Sequence, residues 1–222
     1  MKVKELISLY RTQSLDKVSG KNHGDIFSTN EELILYANEA QVEACRRSEL
    51  LLDSTGPMCT HELAPGQRSI SLDGQVLTIR RAYIGAQPVR SVDAQWLDDS
   101  IPGWEDDERC ASPMYLVTGM DSNSLYLYPK PSNAVTLRLT VSRLPKVLAG
   151  DDDEPEIRAE HHAGLVEWML FRAYSREDND LYNDTKAALC LRRFEAEFGS
   201  KVSARNETWM RQAESVLPGP IA

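Results

Sequence analysis

The spacing of hydrophobic positions changes twice along the chain, which divides the chain into three zones. Up to about residue 64 the apolar residues recur at the intervals of a helix. Between residues 65 and 150 they alternate with polar residues, as in strands with one wet face. From residue 151 onward the helical spacing returns. This order predicts a helical body made from both ends of the chain, with the strands as an insertion.

The first zone predicts two helices. A short amphipathic helix spans residues 3–12, and a polar linker follows over residues 14–25. The second helix spans residues 31–53, with small residues that allow another helix to approach closely, either within the chain or from a second subunit. Its apolar stripe consists of Leu33, Tyr36, Ala37, Ala40, Ala44 and Leu51.

Capping signals mark both ends of this second helix. Its start offers two overlapping capping boxes, Ser28 with Glu31 or Thr29 with Glu32. Its predicted end is the sequence Asp-Ser-Thr-Gly-Pro at residues 53–57, because glycine accepts the left-handed cap conformation and proline cannot continue a helix.

The second zone predicts a small antiparallel sheet or sandwich. Turn residues separate short alternating runs, and Asp73-Gly74 predicts a hairpin between the first two of them. The predicted strands are residues 67–72, 75–84, 89–97, 114–118, 124–128 and 135–141.

The third zone is helical and ends in a short tail. The acids of residues 151–154 stand before Pro155, an arrangement that suits the start of a helix because it complements the helix dipole. That helix spans residues 156–175 and is apolar on most of its circumference, so it should be the buried central helix.

After a polar turn, a further helix should run to Phe198 with Gly199 as its cap. Its stripe is Ala187, Leu191, Phe194 and Phe198. A last helix follows over residues 200–215, and residues 216–222 form an extended, proline-containing tail.

These zones predict an α+β fold that is mainly α. We expect a helical bundle body from the N- and C-terminal helices and an inserted antiparallel β-sheet or sandwich. The corresponding divisions are residues 1–64 and 151–215 for the helical body, 65–150 for the β region and 216–222 for the tail.

Composition narrows the functions that fit. The net charge of −9 argues against a broad basic nucleic-acid-binding surface. The basic pairs Arg46-Arg47, Arg80-Arg81 and Arg192-Arg193 are each typical of a solvated face. Four separated cysteines without a C-x-x-C pair indicate reduced thiols. Neither a signal peptide nor a run of ~20 apolar residues is present, so we expect a protein that is made in the cytoplasm and contacts no membrane.

Candidate metal ligands lie at Glu160-His161-His162, with Cys59 or His61 as further members. Adjacent histidines on a helix point about 100° apart, so both would not readily bind one metal ion. Ordinary surface or interface histidines fit better. No phosphate loop, nucleophile elbow or zinc-protease motif occurs, and we expect no catalytic residue, metal or cofactor.

An acidic segment, residues 91–108, contains seven acids and no lysine or arginine. Paired carboxylates of this kind could serve a glycoside hydrolase if an apolar pocket raised the pKa of one of them. Trp96 and Trp104 could line such a pocket, but a solvated loop is the more usual role of an acidic run. The acids are Asp93, Asp98, Asp99, Glu105, Asp106, Asp107 and Glu108.

Four segments in order resemble the head-to-tail adaptors of tailed bacteriophages, particularly short-tailed ones. They are the helix E-E-L-I-L-Y-A-N-E-A-Q-V-E-A-C-R-R at residues 31–47, the strand end L-Y-L-Y-P-K-P at 125–131, the strand end V-S-R-L-P at 141–145, and the helix pair over 161–198 joined by a D-x-D turn. Each segment alone is weak evidence, and the ordered set is more specific.

The resemblance implies a structural virion protein at the capsid vertex. Such a protein would form a dodecameric ring beneath the portal, join the portal to tail or nozzle proteins, and continue the channel through which DNA is ejected. The resemblance also implies a tail that docks on the portal, here Val216, Leu217, Pro218, Pro220 and Ile221. Phage DNA would pass without specific binding. A channel-lining or tail-facing surface would contain Asp98, Asp99, Glu105, Asp106, Asp107 and Glu108.

Two other functions stay open at this point. A cell-wall hydrolase of a phage particle would use the carboxylates of the acidic segment. A small host-directed binding module would need a stable host partner. Neither has a sequence motif of its own.

Overall fold

The computed structural model describes residues 1–14, 28–121, 123–177 and 181–201. The described chain divides into a helical unit, residues 1–51 and 144–201, and a strand unit, residues 52–143. Its α-helices are α1 Val3–Ser14, α2 Asn30–Ser48, α3 Ala94–Ser100, α4 His162–Tyr174 and α5 Asp184–Phe198, with short 3-10 turns at Pro57–Cys59 and Ala159–His161. Its strands are β1 Leu52–Asp53, β2 Thr60–Leu63, β3 Ser69–Ser71, β4 Val76–Ile84, β5 Gln87–Pro88, β6 Arg90–Asp93, β7 Cys110–Ala111, β8 Tyr115–Thr118, β9 Ser124–Tyr128, β10 Lys130–Pro131 and β11 Val135–Arg143. The predicted α+β class is confirmed.

The start of α2 uses the second of the two predicted capping boxes. The Glu32 amide donates to Thr29 Oγ1 at 3.2 Å, and the Thr29 amide donates to Glu32 Oε2 at 3.0 Å. Both amides would otherwise lack a partner within the helix. Ser28 has a different role, because its hydroxyl lies 3.2 Å from the Tyr10 hydroxyl and joins α1 to the start of α2.

The predicted end of α2 at residue 53 is wrong. The helix stops at Ser48 because Glu49 adopts the left-handed conformation, with φ 47° and ψ 45°. The Glu49 amide donates to the Cys45 carbonyl at 2.8 Å, which closes the last turn. Leu52–Asp53 then form β1 and do not continue the helix. The glycine and proline of residues 56–57 begin a separate 3-10 turn.

Helix α4 supplies the core of the helical unit, as predicted for a buried central helix. It contacts α1, α2 and α5. Nine of its residues are buried, namely His162, Gly164, Leu165, Val166, Trp168, Met169, Leu170, Ala173 and Tyr174. It is shorter than the predicted 156–175, since a 3-10 turn precedes it.

The acids of residues 151–154 do not cap this helix, which corrects the prediction. Asp152 Oδ1 accepts from the ammonium groups of Lys4 at 2.8 Å and Lys2 at 3.3 Å. Asp153 Oδ2 accepts from the amides of Ala149 at 2.7 Å and Gly150 at 3.0 Å. These acids therefore close a turn and bind the basic start of α1, several residues before α4 begins.

Helix α5 follows its predicted pattern closely. Asn183 caps its start, accepting from the Lys186 amide at 2.9 Å, and Gly199 follows its last residue with φ 86°. The buried stripe contains Ala187, Cys190, Phe194 and Phe198, while Leu191 is half-buried. The predicted linker at residues 14–25, turn at 178–180, last helix at 200–215 and tail at 216–222 lie wholly or almost wholly outside the described residues. No helix in the described part of the chain is long and apolar enough to cross a bilayer.

The strand unit contains two main sheets. The first sheet has the order β1-β11-β4-β5, and β2 also pairs with β11. The second sheet has the order β3-β9-β8-β6, in which β6 and β8 are parallel. A short parallel pair joins β7 to β10.

Two strand predictions are wrong, each for its own reason: the first because the pairing partners are distant in sequence, the second because a short helix begins within the predicted strand. The predicted hairpin at Asp73-Gly74 does not form, since β3 pairs with β9 and β4 pairs with β11. The chain passes from one sheet to the other at this turn. The predicted strand over 89–97 is only β6, because the Asp93 carboxylate accepts from the Gln95 amide at 2.9 Å and starts α3.

The strand unit is layered. One core cluster lies between the sheets and joins Leu116, Leu125 and Leu127 of the second sheet to Ala82, Leu137, Leu139 and Val141 of the first sheet. A second cluster lies on the other face of the second sheet and joins Val92, Val117 and Tyr128 to Leu97 and Trp104. Successive strand residues point to opposite faces, so Leu116 and Val117 serve different clusters. The order is therefore first sheet, inter-sheet core, second sheet, outer cluster and the segment that contains α3.

Candidate functional site

The acidic segment is anchored to the second sheet by aromatic packing. Trp104 is 2% exposed and packs edge-to-face on Tyr128, with ring centroids 6.0 Å apart. Its indole N–H donates to Asp98 Oδ1 at 2.8 Å. Leu97 is also fully buried in this cluster. The acids therefore lie on a loop whose conformation is held by a packed aromatic core.

Asp107 is the centre of a hydrogen-bond network. Its carboxylate accepts from the Tyr128 hydroxyl at 2.7 Å, from the Arg109 amide at 3.0 Å and from Arg109 Nε at 2.6 Å. The Tyr128 hydrogen bond is the largest cause that lowers the pKa of Asp107 to about 2, and Arg109 adds to it. The ionised carboxylate is thus strongly favoured at neutral pH.

Glu108 is paired across the short parallel ladder. Lys130 pairs in register with Cys110, and its ammonium donates to the Glu108 carboxylate. This hydrogen bond is the main cause that lowers the pKa of Glu108. Sequence reasoning missed Arg109, Tyr128 and Lys130 as partners of the acids. Arg109 adjoins the acidic run, whereas only the pairing of distant strands brings the other two into place.

Three carboxylates of the segment accept no hydrogen bond and form no ion pair within the described residues. They are Asp99, Glu105 and Asp106, and all three are exposed. A glycosidase needs one carboxyl group with a raised pKa, whereas the pKa values of Asp107 and Glu108 move in the opposite direction. The segment provides negative surface charge and lacks the electrostatics of a carboxylic acid catalyst at those two positions.

An exposed aromatic group borders this segment. Trp96 is 38% exposed, and its ring lies 5.6 Å from that of Tyr115 and 5.3 Å from the Arg90 guanidinium. Met114, next to Tyr115, is 59% exposed. Tryptophan, tyrosine, methionine and arginine are enriched at protein interfaces, so this group suits contact with another protein. At 38% exposure, Trp96 does not provide the apolar, enclosed surface that the alternative of a hydrolase pocket would need.

The predicted metal candidates already have other partners. His162 is buried, with Nε2 2.8 Å from the Ile157 carbonyl and Nδ1 2.7 Å from the amino group of Met1. His161 Nδ1 lies 3.0 Å from the Glu197 carboxylate. His61 Nε2 lies 3.2 Å from a backbone carbonyl. No group of three or more metal-ligating side chains occurs in the residues that the structure describes.

The predicted portal-binding residues Val216, Leu217, Pro218, Pro220 and Ile221 lie outside the described residues. The family segments that do lie within them occupy defined elements. The helix with the Arg46-Arg47 pair is α2, the Y-P-K-P strand end is β9, and the R-L-P strand end is β11.

The prediction of a solvated face for the Arg46-Arg47 pair is wrong for Arg47, which lies in the core of the helical unit, whereas the Arg46 side chain is 32% exposed. The Arg47 side chain is only 3% exposed and lies against the rings of Trp168 and Phe194, at 5.5 Å and 5.1 Å from their centroids. It also donates to the Gly199 carbonyl at 3.0 Å. The residues of the α2 segment and the α4–α5 pair, separate in sequence, therefore meet in one network.

Comparison with known proteins agrees with the resemblance of these segments to phage adaptors. A family model described as SU10 adaptor protein matches residues 1–216 of the chain. A search among curated proteins found no match. The matched range includes both the helical and the strand units, so it covers the whole described structure. The chain belongs to the SU10 adaptor protein family, and it is a bacteriophage adaptor.

Proposed function

We propose that the chain is a structural protein of the phage particle that forms a ring beneath the portal. In this role it joins the portal to tail or nozzle proteins and continues the channel for DNA, which passes without specific binding. The family match over residues 1–216 carries the proposal. A dodecameric ring at one capsid vertex is the arrangement that we expect.

The packing of the helical unit supports a mechanical role. Two arginines are paired with acids of α2: Arg172 of α4 with Glu39 at 3.2 Å, and Arg176, just after the end of α4, with Glu32 at 2.7 Å. Together with the Arg47 network, these pairs join helices from both ends of the sequence. A unit stabilised in this way is suited to transmit force between portal and tail while keeping its shape.

The C-terminal tail is the proposed portal contact. An extended segment that contains prolines loses less conformational entropy on docking than a flexible one. The residues proposed for this contact are Val216, Leu217, Pro218, Pro220 and Ile221.

The acidic segment completes the proposal. Facing the channel, free carboxylates would repel DNA phosphates and reduce sticking; facing a tail protein, they would attract a basic surface. Asp98, Asp107 and Glu108 already bind within the chain, so the charge available for either task comes from Asp99, Glu105 and Asp106.

Portal binding tests this function. Purified full-length chain should bind isolated portal rings in a co-sedimentation assay, and electron microscopy of the native particle should show it as a ring at the portal vertex. A chain truncated after residue 215 should lose portal binding while it keeps the circular dichroism of the full chain. A full-length chain with Gln75→Ala, a substitution of one exposed side chain, is the control and should bind normally.

The two results separate the two parts of the proposal. If the full-length chain binds no portal ring, the adaptor position beneath the portal is wrong. If the truncated chain binds as well as the full chain, only the assignment of the tail is wrong.

A further inference from the structure

An apolar groove lies on the surface of the helical unit between α2, α4 and α5. Its volume is about 440 Å³. All three helices contribute apolar side chains to its lining, and these side chains are half-buried except for Trp168, which is 8% exposed. A continuous apolar groove of this kind suits a further segment that packs along it. The apolar residues that line it are Val42, Trp168, Phe171 and Leu191.

The groove has two distinct ends, because the helices around it are aligned. At one end Arg47 lies against the Trp168 ring and 3.6 Å from the Glu195 carboxylate. Towards the other end, Arg172 pairs with Glu39 at 3.2 Å. Helix α4 therefore runs antiparallel to α2, and the last turns of α2 and α5 lie together at the first end of the groove.

The chain beyond α5 begins at this first end. Gly199 follows the last residue of α5, and its carbonyl accepts from Arg47 at 3.0 Å. Lys201, two residues later, is itself one of the residues that line the groove. A connection of this length favours packing of the next segment antiparallel to the helix before it. For a segment that starts at Lys201, an antiparallel direction leads along the groove.

The segment that follows has one apolar face when it is read at helical spacing. Within residues 202–215, Trp209, Met210 and Ala213 lie on one side, and Val202 and Val216 extend this side in both directions. The family model reaches residue 216, so this segment belongs to the part of the chain that the family shares. The polar residues on the other side are Glu207, Thr208, Arg211, Glu214 and Ser215.

Trp168 provides a second observation at the groove. Its indole N–H is buried and has no acceptor among the described residues. A buried donor without an acceptor costs free energy, and almost all such groups in native proteins are paired. A segment that covers the groove brings carbonyl oxygens close to Trp168 and so supplies what this donor lacks.

We infer that residues 202–215 form a helix that packs in this groove of the same chain, with Trp209 and Met210 inserted between the side chains of α2, α4 and α5. The same chain is the occupant because Lys201 holds the start of the segment at the groove. A short connection of this kind gives an effective concentration on the order of millimolar, which favours the attached segment over one from a second copy.

The inference deepens the proposed function, on which it rests for one step. A helix that starts at Lys201 and follows the groove delivers residues 216–222 to the end of the groove that carries Arg172 and Glu39. If residues 216–222 bind the portal, this end of the helical unit faces the portal. The groove is then the structure that orients the portal contact.

Reactivity of a cysteine in the groove tests the inference on the full-length chain. Leu191→Cys places a thiol in the groove, in a background of Cys110→Ser because Cys110 is exposed and the other three cysteines are buried. Introducing Trp209→Asp with Met210→Asp should then increase the rate of maleimide labelling at least about 10-fold, because charged side chains do not remain in an apolar groove.

Two controls are matched to this change. Thr208→Asp with Ser215→Asp makes the same charge change on the polar side of the segment, so it should leave the labelling rate of Leu191→Cys unchanged. Leu189→Cys lies on α5 at a position that is 41% exposed and outside the groove lining, so it should be labelled at the same rate in every chain.

Two outcomes of the labelling overturn the inference. One is an equal labelling rate of Leu191→Cys with and without the two aspartates at residues 209 and 210. The other is protection that disappears when the chain is diluted about 100-fold, since protection by an attached segment is independent of concentration whereas protection by a second copy is not.

Hydrogen exchange of the unmodified chain covers the case in which a variant fails to fold. Amides of residues 205–215 should exchange at least about 10-fold more slowly than in an unstructured peptide of the same sequence, because a packed helix protects its amides. Exchange of these amides at the rate of the unstructured peptide overturns the inference without the use of any substitution.

Portal binding is measured separately, in the co-sedimentation assay. If the groove is protected and the chain binds no portal ring, the inference about the groove stands and the proposed function fails. If the chain binds portal rings and the groove is unprotected, the inference fails and the proposed function stands. If both hold, Trp209→Asp with Met210→Asp should weaken portal binding about 10-fold although residues 216–222 are unchanged, because the contact is no longer held in place; unchanged binding would overturn the orienting role of the groove.

Discussion

Replacement of Arg47 by alanine should destabilise the helical unit by about 3 kcal/mol. The Arg47 side chain is 3% exposed, and its guanidinium pairs with Glu43 at 3.3 Å and with Glu195 at 3.6 Å. It also donates to the Gly199 carbonyl at 3.0 Å, just after α5, and stacks on the Trp168 ring. Its loss would remove a cation, leave a carbonyl without its donor and open a gap between three helices.

The magnitude follows from what remains after the change. Breaking a buried ion pair by removing one partner costs about 3–5 kcal/mol. Arg46 still pairs with Glu43 at 2.6 Å, so the lower end of that range applies. Arg47→Lys keeps the charge and loses the planar fork, so it should cost about half as much.

Urea unfolding followed by far-ultraviolet circular dichroism measures these costs. Arg46→Ala is the matched control, because the Arg46 side chain is 32% exposed and its removal should cost at most about 1 kcal/mol. An Arg47→Ala variant that is no less stable than Arg46→Ala would refute the reasoning, since the burial of Arg47 would then contribute nothing.

Three smaller perturbations are local. Gly164→Ala places a methyl group against the Glu197 carboxylate, which must move, and 2.9 Å from the Phe198 ring. It should therefore destabilise by about 1 kcal/mol despite the better helix propensity of alanine; Gly150→Ala, with nothing within 4 Å, is the control in urea unfolding. Thr29→Ala removes the cap of α2 and should cost about 1 kcal/mol in the same assay. Tyr128→Phe should raise the pKa of Asp107 from about 2 towards the ordinary 3.8, as measured by carboxyl NMR. A carboxyl group whose pKa is lower in the folded than in the unfolded protein stabilises the fold at pH values above its unfolded-state pKa. This stabilisation is lost as the pH falls through the folded-state pKa. The variant should therefore lose the Asp107 contribution at a higher pH than the parent.

The helices could be predicted from local sequence better than their ends could. Thr29 with Glu32 and Asn183 are side chains that cap a helix by their own chemistry, so they are readable in the sequence. Glu49 is different, since a left-handed glutamate has no residue preference to reveal it. The end of α2 was therefore predicted at the nearest glycine and proline, several residues too late.

In the strand unit, neither the short helix nor the pairing of distant strands could be predicted from local sequence patterns. The run over residues 89–97 contains a strand and the start of a helix that has seven residues in all, too few to display a helical period. Asp93 at their junction caps the helix, but its position in an alternating run makes this cap difficult to recognise in the sequence. The partners of β3 and β4 lie more than fifty residues downstream, so no turn residue could indicate them.

The same limit applies to charge. In sequence, Arg80-Arg81 is an ordinary basic pair and Arg138 is an isolated residue, but strand pairing places them on one face. The acids of residues 98–108 read as one run, whereas Trp104, Arg109 and Lys130 occupy three of them and leave three free. A net charge of −9 describes none of this sorting.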